Sequence, residues 1–223
     1  MSRILRTVSR KLVPRSIRTF VRNRLELWRW EHRGRGRRVN PPHIVKERHV
    51  KASQKRYGAR VFVETGTYYG DMVAPVKGIF REIYSIELSK SLAEKARRRF
   101  RRHAHIRILC GDSATLLADV LASIVEPSVF WLDGHYSGGE TARGACDYPV
   151  LAELQAIQHH PVKAHVVLID DARSFTGAPG IPALAEILEP LRQINPRYAI
   201  DIVDDIIRAL PPKRRSALAA EGI

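Results

Sequence analysis

The chain has 223 residues, of which 44% are hydrophobic and 27% charged, and this composition is typical of one globular domain with a sizeable core and some additional sequence. No apolar run approaches the roughly 20 residues that span a bilayer, and the basic N-terminus lacks the pattern of a secretory signal. The net charge of +15 is unevenly distributed, because residues 1–40 contain thirteen Lys/Arg and two Glu, which leaves only +4 for the remainder.

The N-terminal arm contains two amphipathic helical patterns that are separated by Pro14. Arginines fill one face of each pattern, and apolar residues recur at helical spacing on the other face. These apolar residues are Ile4, Leu5, Val8 and Leu12 in the first pattern, and Ile17, Phe20, Val21, Leu25 and Trp28 in the second. Residues 32–42 have the composition of a linker, and residues 44–57 are predicted to form a polar helix. We therefore divide the chain into an arm with its linker, residues 1–42, and a domain, residues 43–223.

Several roles are compatible with this basic arm. Trp and Phe on an apolar face suit peripheral contact with an anionic membrane surface. The charge also suits nucleic acid, although the apolar face fits lipid better than a phosphate track. An Arg-rich, acid-poor segment is also typical of organelle transit peptides. Finally, the arm can pack on its own domain or on the second subunit of a homodimer.

The two cysteines, Cys110 and Cys146, cannot form a disulfide framework and lie in no metal-binding motif. We expect two reduced thiols, buried or half-buried, in a reducing compartment. The expected location is therefore the cytoplasm, at the inner face of the membrane if the arm binds lipid.

From residue 60 onward, strand-like and helix-like segments alternate. Five short runs rich in Val, Ile and aromatic residues are predicted as strands buried on both faces of a parallel sheet: residues 61–63, 83–86, 106–109, 129–132 and 166–169. Helices are predicted after Gly70, after Ser89, after Asp112 and Ser113, after Pro149 and over residues 182–194. Residues 198–203 and 206–210 are predicted to form a terminal antiparallel hairpin. This pattern predicts an α/β open sheet, doubly wound and mostly parallel.

Ligands of open α/β sheets bind at the carboxyl ends of the strands, so the residues at those ends are the candidates for a site. The first strand is followed by Glu64-Thr65-Gly66-Thr67-Tyr68-Tyr69-Gly70, in which the glycines allow a sharp turn and a close approach to a ligand. The spacing differs from the G-x-G-x-x-G of nicotinamide-binding sites. Glu87 ends the second strand, where a carboxylate can accept hydrogen bonds from both hydroxyls of a ribose or simply be solvated.

The remaining strand ends are also polar. Gly111-Asp112-Ser113 follows the third strand, and Asp112 can accept from an adenine amino group, cap the next helix, or do both. The fourth strand ends in Asp133-Gly134-His135-Tyr136, and the fifth ends in Asp170-Asp171.

Taken in order, the strand-end residues within 61–210 resemble the motifs of the class I S-adenosylmethionine-dependent methyltransferases, and the terminal hairpin matches the antiparallel last strand of that family. The resemblance implies a seven-stranded sheet in the order 3-2-1-4-5-7-6. It also implies an S-adenosylmethionine site formed by nine residues: Glu64, Thr65, Gly66, Thr67, Gly70, Glu87, Asp112, Ser113 and Asp133.

Within that family the chain is similar to the metal-dependent O-methyltransferases of small molecules, such as the catechol, caffeoyl-CoA and macrocin or sugar enzymes. These often have E-x-G-x-x-x-G with a bulky residue in the middle, here Tyr68. They carry an Asp after the fourth strand and an Asp-Asp or Asp-Asn pair after the fifth, and Asp133, Asp170 and Asp171 match these positions. His135 departs from the macrocin-type pattern, which tends to have a second Asp there, and residues 137–148 form an insert that does not align.

The resemblance implies methyl transfer to a hydroxyl of a small molecule, a sugar or polysaccharide precursor being one such acceptor. Three converging carboxylates, Asp133, Asp170 and Asp171, are expected to bind a divalent cation such as Mg²⁺, which lowers the pKa of the acceptor hydroxyl. His135 and Asp133 are the candidate catalytic residues, His135 as general base because the ordinary pKa of histidine lies near neutrality.

Two other functions remain open from the sequence: an RNA methyltransferase that uses the basic arm, and a non-catalytic methyltransferase-like binding module. No NPPY-like tetrapeptide follows the fourth strand, which disfavours base methylation. A nicotinamide-dependent reductase is disfavoured by the loop spacing and by the absence of a Tyr-x-x-x-Lys pair.

Overall fold

The computed structural model of the protein describes residues 15–34, 40–134 and 148–213. Its seven α-helices are α1 Arg15–Arg29, α2 His43–Tyr57, α3 Val73–Val76, α4 Lys90–Phe100, α5 Ser113–Ala122, α6 Val150–His159 and α7 Leu184–Ile194. Its seven strands are β1 Val61–Thr65, β2 Glu82–Glu87, β3 Ile106–Cys110, β4 Val129–Leu132, β5 Val166–Ile169, β6 Ala199–Val203 and β7 Ile206–Leu210. A π-helical turn, Trp30–Gly34, continues α1, and a 3₁₀ turn, Ala172–Ser174, follows β5.

All seven strands belong to one sheet in the order β3-β2-β1-β4-β5-β7-β6, which confirms the predicted topology. The first five strands are parallel to one another, whereas β7 runs antiparallel to both β5 and β6. The terminal hairpin therefore inserts its second strand next to β5, as predicted. Strands β1, β4 and β5 are buried along their whole length, which explains their continuous apolar sequences.

Helices cover both faces of the sheet because successive side chains of each strand point to opposite faces. On one face, Val61 and Val63 of β1 belong to a core that includes residues of α5, α6 and α7. On the other face, Phe62 belongs to a second core with residues of α2, α3 and α4. The doubly wound α/β prediction is thus confirmed, and the carboxyl ends of the parallel strands lie at one open edge between the two helix layers.

Three local predictions differ from the structure. The helix predicted after Gly70 is only the four-residue α3, because the glycine loop continues in turns as far as Met72. Strand β3 is only partly buried, with Arg107 exposed, because it forms one edge of the sheet. Cys110, at the end of that strand, is exposed rather than buried or half-buried. Cys146 lies outside the described residues.

The second arm pattern forms helix α1, whereas the first, residues 4–12, and residues 35–39 of the linker lie outside the described residues. The division into residues 1–42 and 43–223 therefore stays a prediction. In the part of the chain that the structure describes, no helix combines the length and the apolar character that crossing a membrane would require.

Candidate active site

The polar residues at the strand ends meet at one edge of the sheet. The backbone N–H of Asp133 donates to the carbonyl of Thr65 at 3.1 Å, and the N–H of Asp170 donates to the carbonyl of Leu132 at 3.0 Å. The ends of β1, β4 and β5 are thus in contact. Because parallel strands end at a common edge, the topology of the sheet is sufficient to bring these residues together although they are distant in sequence.

The loop after β1 depends on Gly66. Its N–H and that of Thr67 both donate to the carbonyl of Ile86 on β2, at 2.9 and 3.3 Å. Gly66 has a φ of +84°, and a Cβ at this position would lie 2.3 Å from the carbonyl oxygen of Asp133. Only glycine fits, so the loop lies directly against the end of β4.

Glu87 lies at the end of β2 and is 5% exposed. Its two carboxylate oxygens accept from the N–H groups of Tyr68, at 2.7 Å, and of Ser89, at 2.8 Å. Burial raises the pKa of Glu87, while these two hydrogen bonds oppose the rise. Each carboxylate oxygen can accept a further hydrogen bond, so the geometry is compatible with the predicted contact to a ribose.

Glu64 is almost completely buried, and the hydroxyl of Ser85 donates to its carboxylate. The hydroxyl groups of Ser85 and Thr67 are themselves 2.5 Å apart. Burial raises the pKa of Glu64 to about 8, so the side chain is largely protonated at neutral pH. Glu64 lines a cavity of about 280 Å³ between the β1 loop and the start of α2, together with Asn40, Pro41, His43, Lys46, Gly66, Thr67, Tyr68, Asp71, Met72, Trp131 and Asp133.

Two of the predicted cofactor residues have structural contacts that the sequence left open. Asp112 caps α5, since its carboxylate accepts from the N–H of Ala114 at 2.9 Å. Gly70, with a φ of +78°, packs so closely on Phe100 that a Cβ would lie 2.4 Å from its ring. These contacts account for both residues within the fold, and their binding roles stay predictions.

Glu153 on α6 is a member of this site that the sequence did not single out. It is 1% exposed, and its Oε1 accepts from the hydroxyl of the predicted cofactor residue Ser113 at 2.6 Å. Its Oε2 is buried and has no hydrogen-bond partner. Burial raises its pKa to about 7, and hydrogen bonds from Ser113 and Thr65 oppose the rise. The sequence pattern that could have indicated Glu153 is its position on the apolar face of α6, between Val150 and Ile157.

Asp133, Asp170 and Asp171 form a carboxylate cluster in which one oxygen atom of each residue lies within 4.8 Å of the others. Asp170 is 2% exposed and Asp171 is 8% exposed. Asp171 adopts a left-handed conformation, with a φ of +55°, and its N–H donates to Asp170 Oδ1 at 2.9 Å. The three residues predicted to bind a metal are therefore close enough to share one cation.

Lys46 on α2 reaches into this cluster, a contact that no sequence pattern predicts. Its ammonium group donates to Asp170 Oδ2 and lies 3.7 Å from Asp171 Oδ1. Loss of hydration raises the pKa of Asp133, and the charge of Asp170 adds to the effect. Burial by itself lowers the pKa of Lys46, but the charges of the surrounding carboxylates outweigh this effect, so the pKa of Lys46 is raised. Lys46 is thus a resident counter-ion, and its helical position in a polar segment gave no sign of this role.

A second cation, Arg173, contacts the same carboxylate oxygen of Asp171 as Lys46 does. Its Nη1 is 3.0 Å from Asp171 Oδ1, and it also forms an ion pair with Asp205 in the β6–β7 turn. The predicted catalytic residue His135 and the insert up to residue 147 lie outside the described residues.

Comparison of the sequence with protein-family models and with curated proteins finds no match. Solved structures, in contrast, match over most of the chain. The O-methyltransferase from Bacillus cereus in complex with SAH is 14% identical, with a TM-score of 0.56, and 92% of this chain and 96% of that one are covered. The SAH-bound Podospora anserina methyltransferase PaMTH1 is 14% identical with a TM-score of 0.55, covering 77% of this chain and 80% of that one. The N-methyltransferase NodS from Bradyrhizobium japonicum WM9 is 13% identical with a TM-score of 0.51, covering 78% and 100%.

The matched enzymes methylate different atoms, so the likeness does not select an acceptor. Together with the strand order and the antiparallel β7, the likeness confirms the predicted resemblance at the level of the fold. The chain has the fold of the class I S-adenosylmethionine-dependent methyltransferases.

Proposed function

We propose that this chain is an enzyme that transfers the methyl group of S-adenosylmethionine to a hydroxyl of a small molecule. The proposal rests on one observation: the Gly66 loop and the strand-end carboxylate of Glu87 lie together beside an open cavity. Two of the three structures named above contain SAH, the product that S-adenosylmethionine becomes when it loses its methyl group, which supports this cofactor for the shared fold.

In the proposed complex, Glu87 accepts from the ribose hydroxyls, and Asp112 and Ser113 contact the adenine. Gly66, Thr67 and the largely protonated Glu64 line the cavity that would receive the amino-acid part of the cofactor. A neutral Glu64 can both donate and accept a hydrogen bond, which suits a zwitterionic group. The methyl group would then lie near Asp133, at the opening toward the carboxylate cluster.

The carboxylate cluster fits a divalent cation in the type and spacing of its oxygen donors, and we propose Asp133, Asp170 and Asp171 as the ligands. When bound, the cation would lower the pKa of an acceptor hydroxyl. Lys46 competes for the same oxygens, because its ammonium group already donates to Asp170. Cation binding therefore requires that Lys46 withdraw from Asp170.

The acceptor hydroxyl must lose its proton for transfer to be efficient. His135 is the proposed general base, whereas Asp133 is kept as a ligand of the cation. Lys46 remains an ammonium group because its own pKa is raised, so it can hold a developing alkoxide but cannot take its proton. A sugar or polysaccharide precursor is the acceptor class that we propose, because it offers neighbouring hydroxyls to such a site.

Calorimetric titration of the full chain with S-adenosylmethionine tests the cofactor, with Glu87→Ala as the variant expected to lose binding. Transfer of labelled methyl to hydroxylated small molecules, with Mg²⁺ or with EDTA, then tests acceptor and cation. Absence of binding by folded wild-type protein would leave a non-catalytic module. If the protein bound the cofactor but transferred methyl groups only to RNA, the acceptor would be RNA and not a small molecule.

A further inference from the structure

Helix α1 exposes three large apolar side chains on one face. Val21 is 57% exposed, Leu25 45% and Trp28 50%. Their spacing of four and three residues places them on a single stripe along the helix. A contiguous exposed stripe of this kind, unlike single exposed apolar residues, is typical of a contact surface.

The stripe stays exposed although the end of the helix is fixed to the domain. Trp30, two residues after the stripe, is 7% exposed, and its indole N–H donates to Asp204 Oδ1 at 3.0 Å. Next to it, Glu31 pairs with Arg48 of α2 at 2.8 Å. The described part of the arm therefore does pack on its own domain, but through Trp30 rather than through the apolar face of α1.

The charge around the stripe identifies the kind of partner. Arg22, Arg24 and Arg29 are exposed on the same helix, with Glu26 as the single acid. A second copy of this chain would bring an equally basic arm, since residues 1–40 contain thirteen Lys/Arg and two Glu, and the two arms would repel each other. Nucleic acid would neutralise the arginines but would leave the apolar stripe in water.

We propose that the stripe of Val21, Leu25 and Trp28 docks on an anionic lipid surface, with the flanking arginines at the headgroups. The apolar side chains enter the boundary of the headgroups and acyl chains, and Trp is well suited to this boundary because its ring is apolar and its N–H is polar. This inference does not depend on the proposed methyl transfer.

The test uses the full chain and vesicles of phosphatidylcholine with or without phosphatidylglycerol, measured by co-sedimentation and by tryptophan fluorescence. The chain has three tryptophans, and Trp30 and Trp131 are buried, so a blue shift on vesicle binding reports Trp28. We expect binding to the anionic vesicles with a blue shift, weakened by salt. The double variant Leu25→Ser/Trp28→Ser should bind at least about tenfold more weakly. Val125→Ser, which removes an apolar side chain that is 86% exposed outside the arm, is the matched control and should bind as wild type does.

Four results would overturn the proposal. The first two are failure to bind anionic vesicles and equal binding by the double variant. The third is a dimer that the double variant abolishes, which would assign the stripe to a second subunit. The fourth is RNA binding that depends on Leu25 and Trp28 without any binding to vesicles.

Discussion

Replacement of Glu87 by glutamine tests the assignment of the cofactor site, because it preserves the shape of the side chain and removes its charge. In the structure both oxygens already accept from backbone N–H groups, those of Tyr68 and Ser89, and each has capacity for one ribose hydroxyl. A glutamine keeps one acceptor oxygen and turns an amide NH₂ toward an N–H donor.

The expected loss follows from the hydrogen bonds affected. A hydrogen bond to a charged group contributes about 1.5–3 kcal/mol, so losing the charge at two ribose contacts should cost about 3 kcal/mol of binding free energy. This corresponds to roughly 150-fold weaker binding of S-adenosylmethionine. Calorimetric titration measures the dissociation constant, and thermal unfolding shows whether the variant is folded.

Glu94→Gln is the control, because Glu94 is exposed on α4 and makes only a marginal ion pair with Arg98 at 4.0 Å. It should bind the cofactor as the wild type does. If folded Glu87→Gln retained binding within about threefold of the wild type, the proposed ribose contact would be wrong.

Three further predictions concern the loop, the counter-ion and the buried acid. Gly66→Ala should destabilise the protein by about 2 kcal/mol or more in chemical unfolding, because φ at this position is positive and the added Cβ would lie 2.3 Å from the Asp133 carbonyl oxygen. Gly78→Ala is the control, since no atom lies within 4 Å of its Cβ, and equal stability of the two variants would contradict the steric argument. Lys46→Met should strengthen Mn²⁺ binding at least about tenfold in a titration, because the ammonium group of Lys46 competes with the cation for Asp170. Lys51→Met on the same helix is the control and should leave the affinity unchanged. If Lys46→Met bound Mn²⁺ no more tightly than the wild type, Lys46 would not be a competitor of the cation. The pKa of Glu153 is raised from 4.5 to about 7, so the unfolded chain loses its proton first and this residue contributes stability that is lost as pH rises. The stability of Glu153→Gln relative to wild type should therefore increase by about 2 to 3 kcal/mol between pH 4.5 and pH 7. A difference independent of pH would show that Glu153 is not protonated in the fold.

Much of the architecture could be predicted because the signals for it are local. The buried parallel strands have continuous apolar sequences, and each is followed by a polar strand end at a spacing that a helix can bridge. The carboxyl ends of parallel strands meet at one edge in any such sheet, so the proximity of Glu64, Asp133 and Asp170 followed from topology alone. The terminal hairpin was predicted from the two strand-like segments 198–203 and 206–210, and in the structure Asp204-Asp205 between them forms a tight turn with positive φ at both residues.

Other features depend on contacts between residues far apart in sequence. Lys46 meets Asp170 across 124 residues, and Trp30 meets Asp204 across 174. No periodicity in α2 distinguishes Lys46 from the lysine at position 51, because only the packing of α2 against the sheet decides which one faces the cluster.

The polar residues at the strand ends and the contrast between a basic N-terminal stretch and a nearly neutral remainder could be read directly from the residues, and the order of the strands followed from the resemblance to a known family. The compensation of the carboxylate cluster by Lys46 became visible only in three dimensions. The same holds for the burial of Glu153 against the Ser113 hydroxyl and for the contact of Trp30 with Asp204, which leaves the apolar stripe exposed. The physical reason is that burial and charge pairing depend on the surroundings in three dimensions, whereas strand and helix patterns are carried by neighbouring residues.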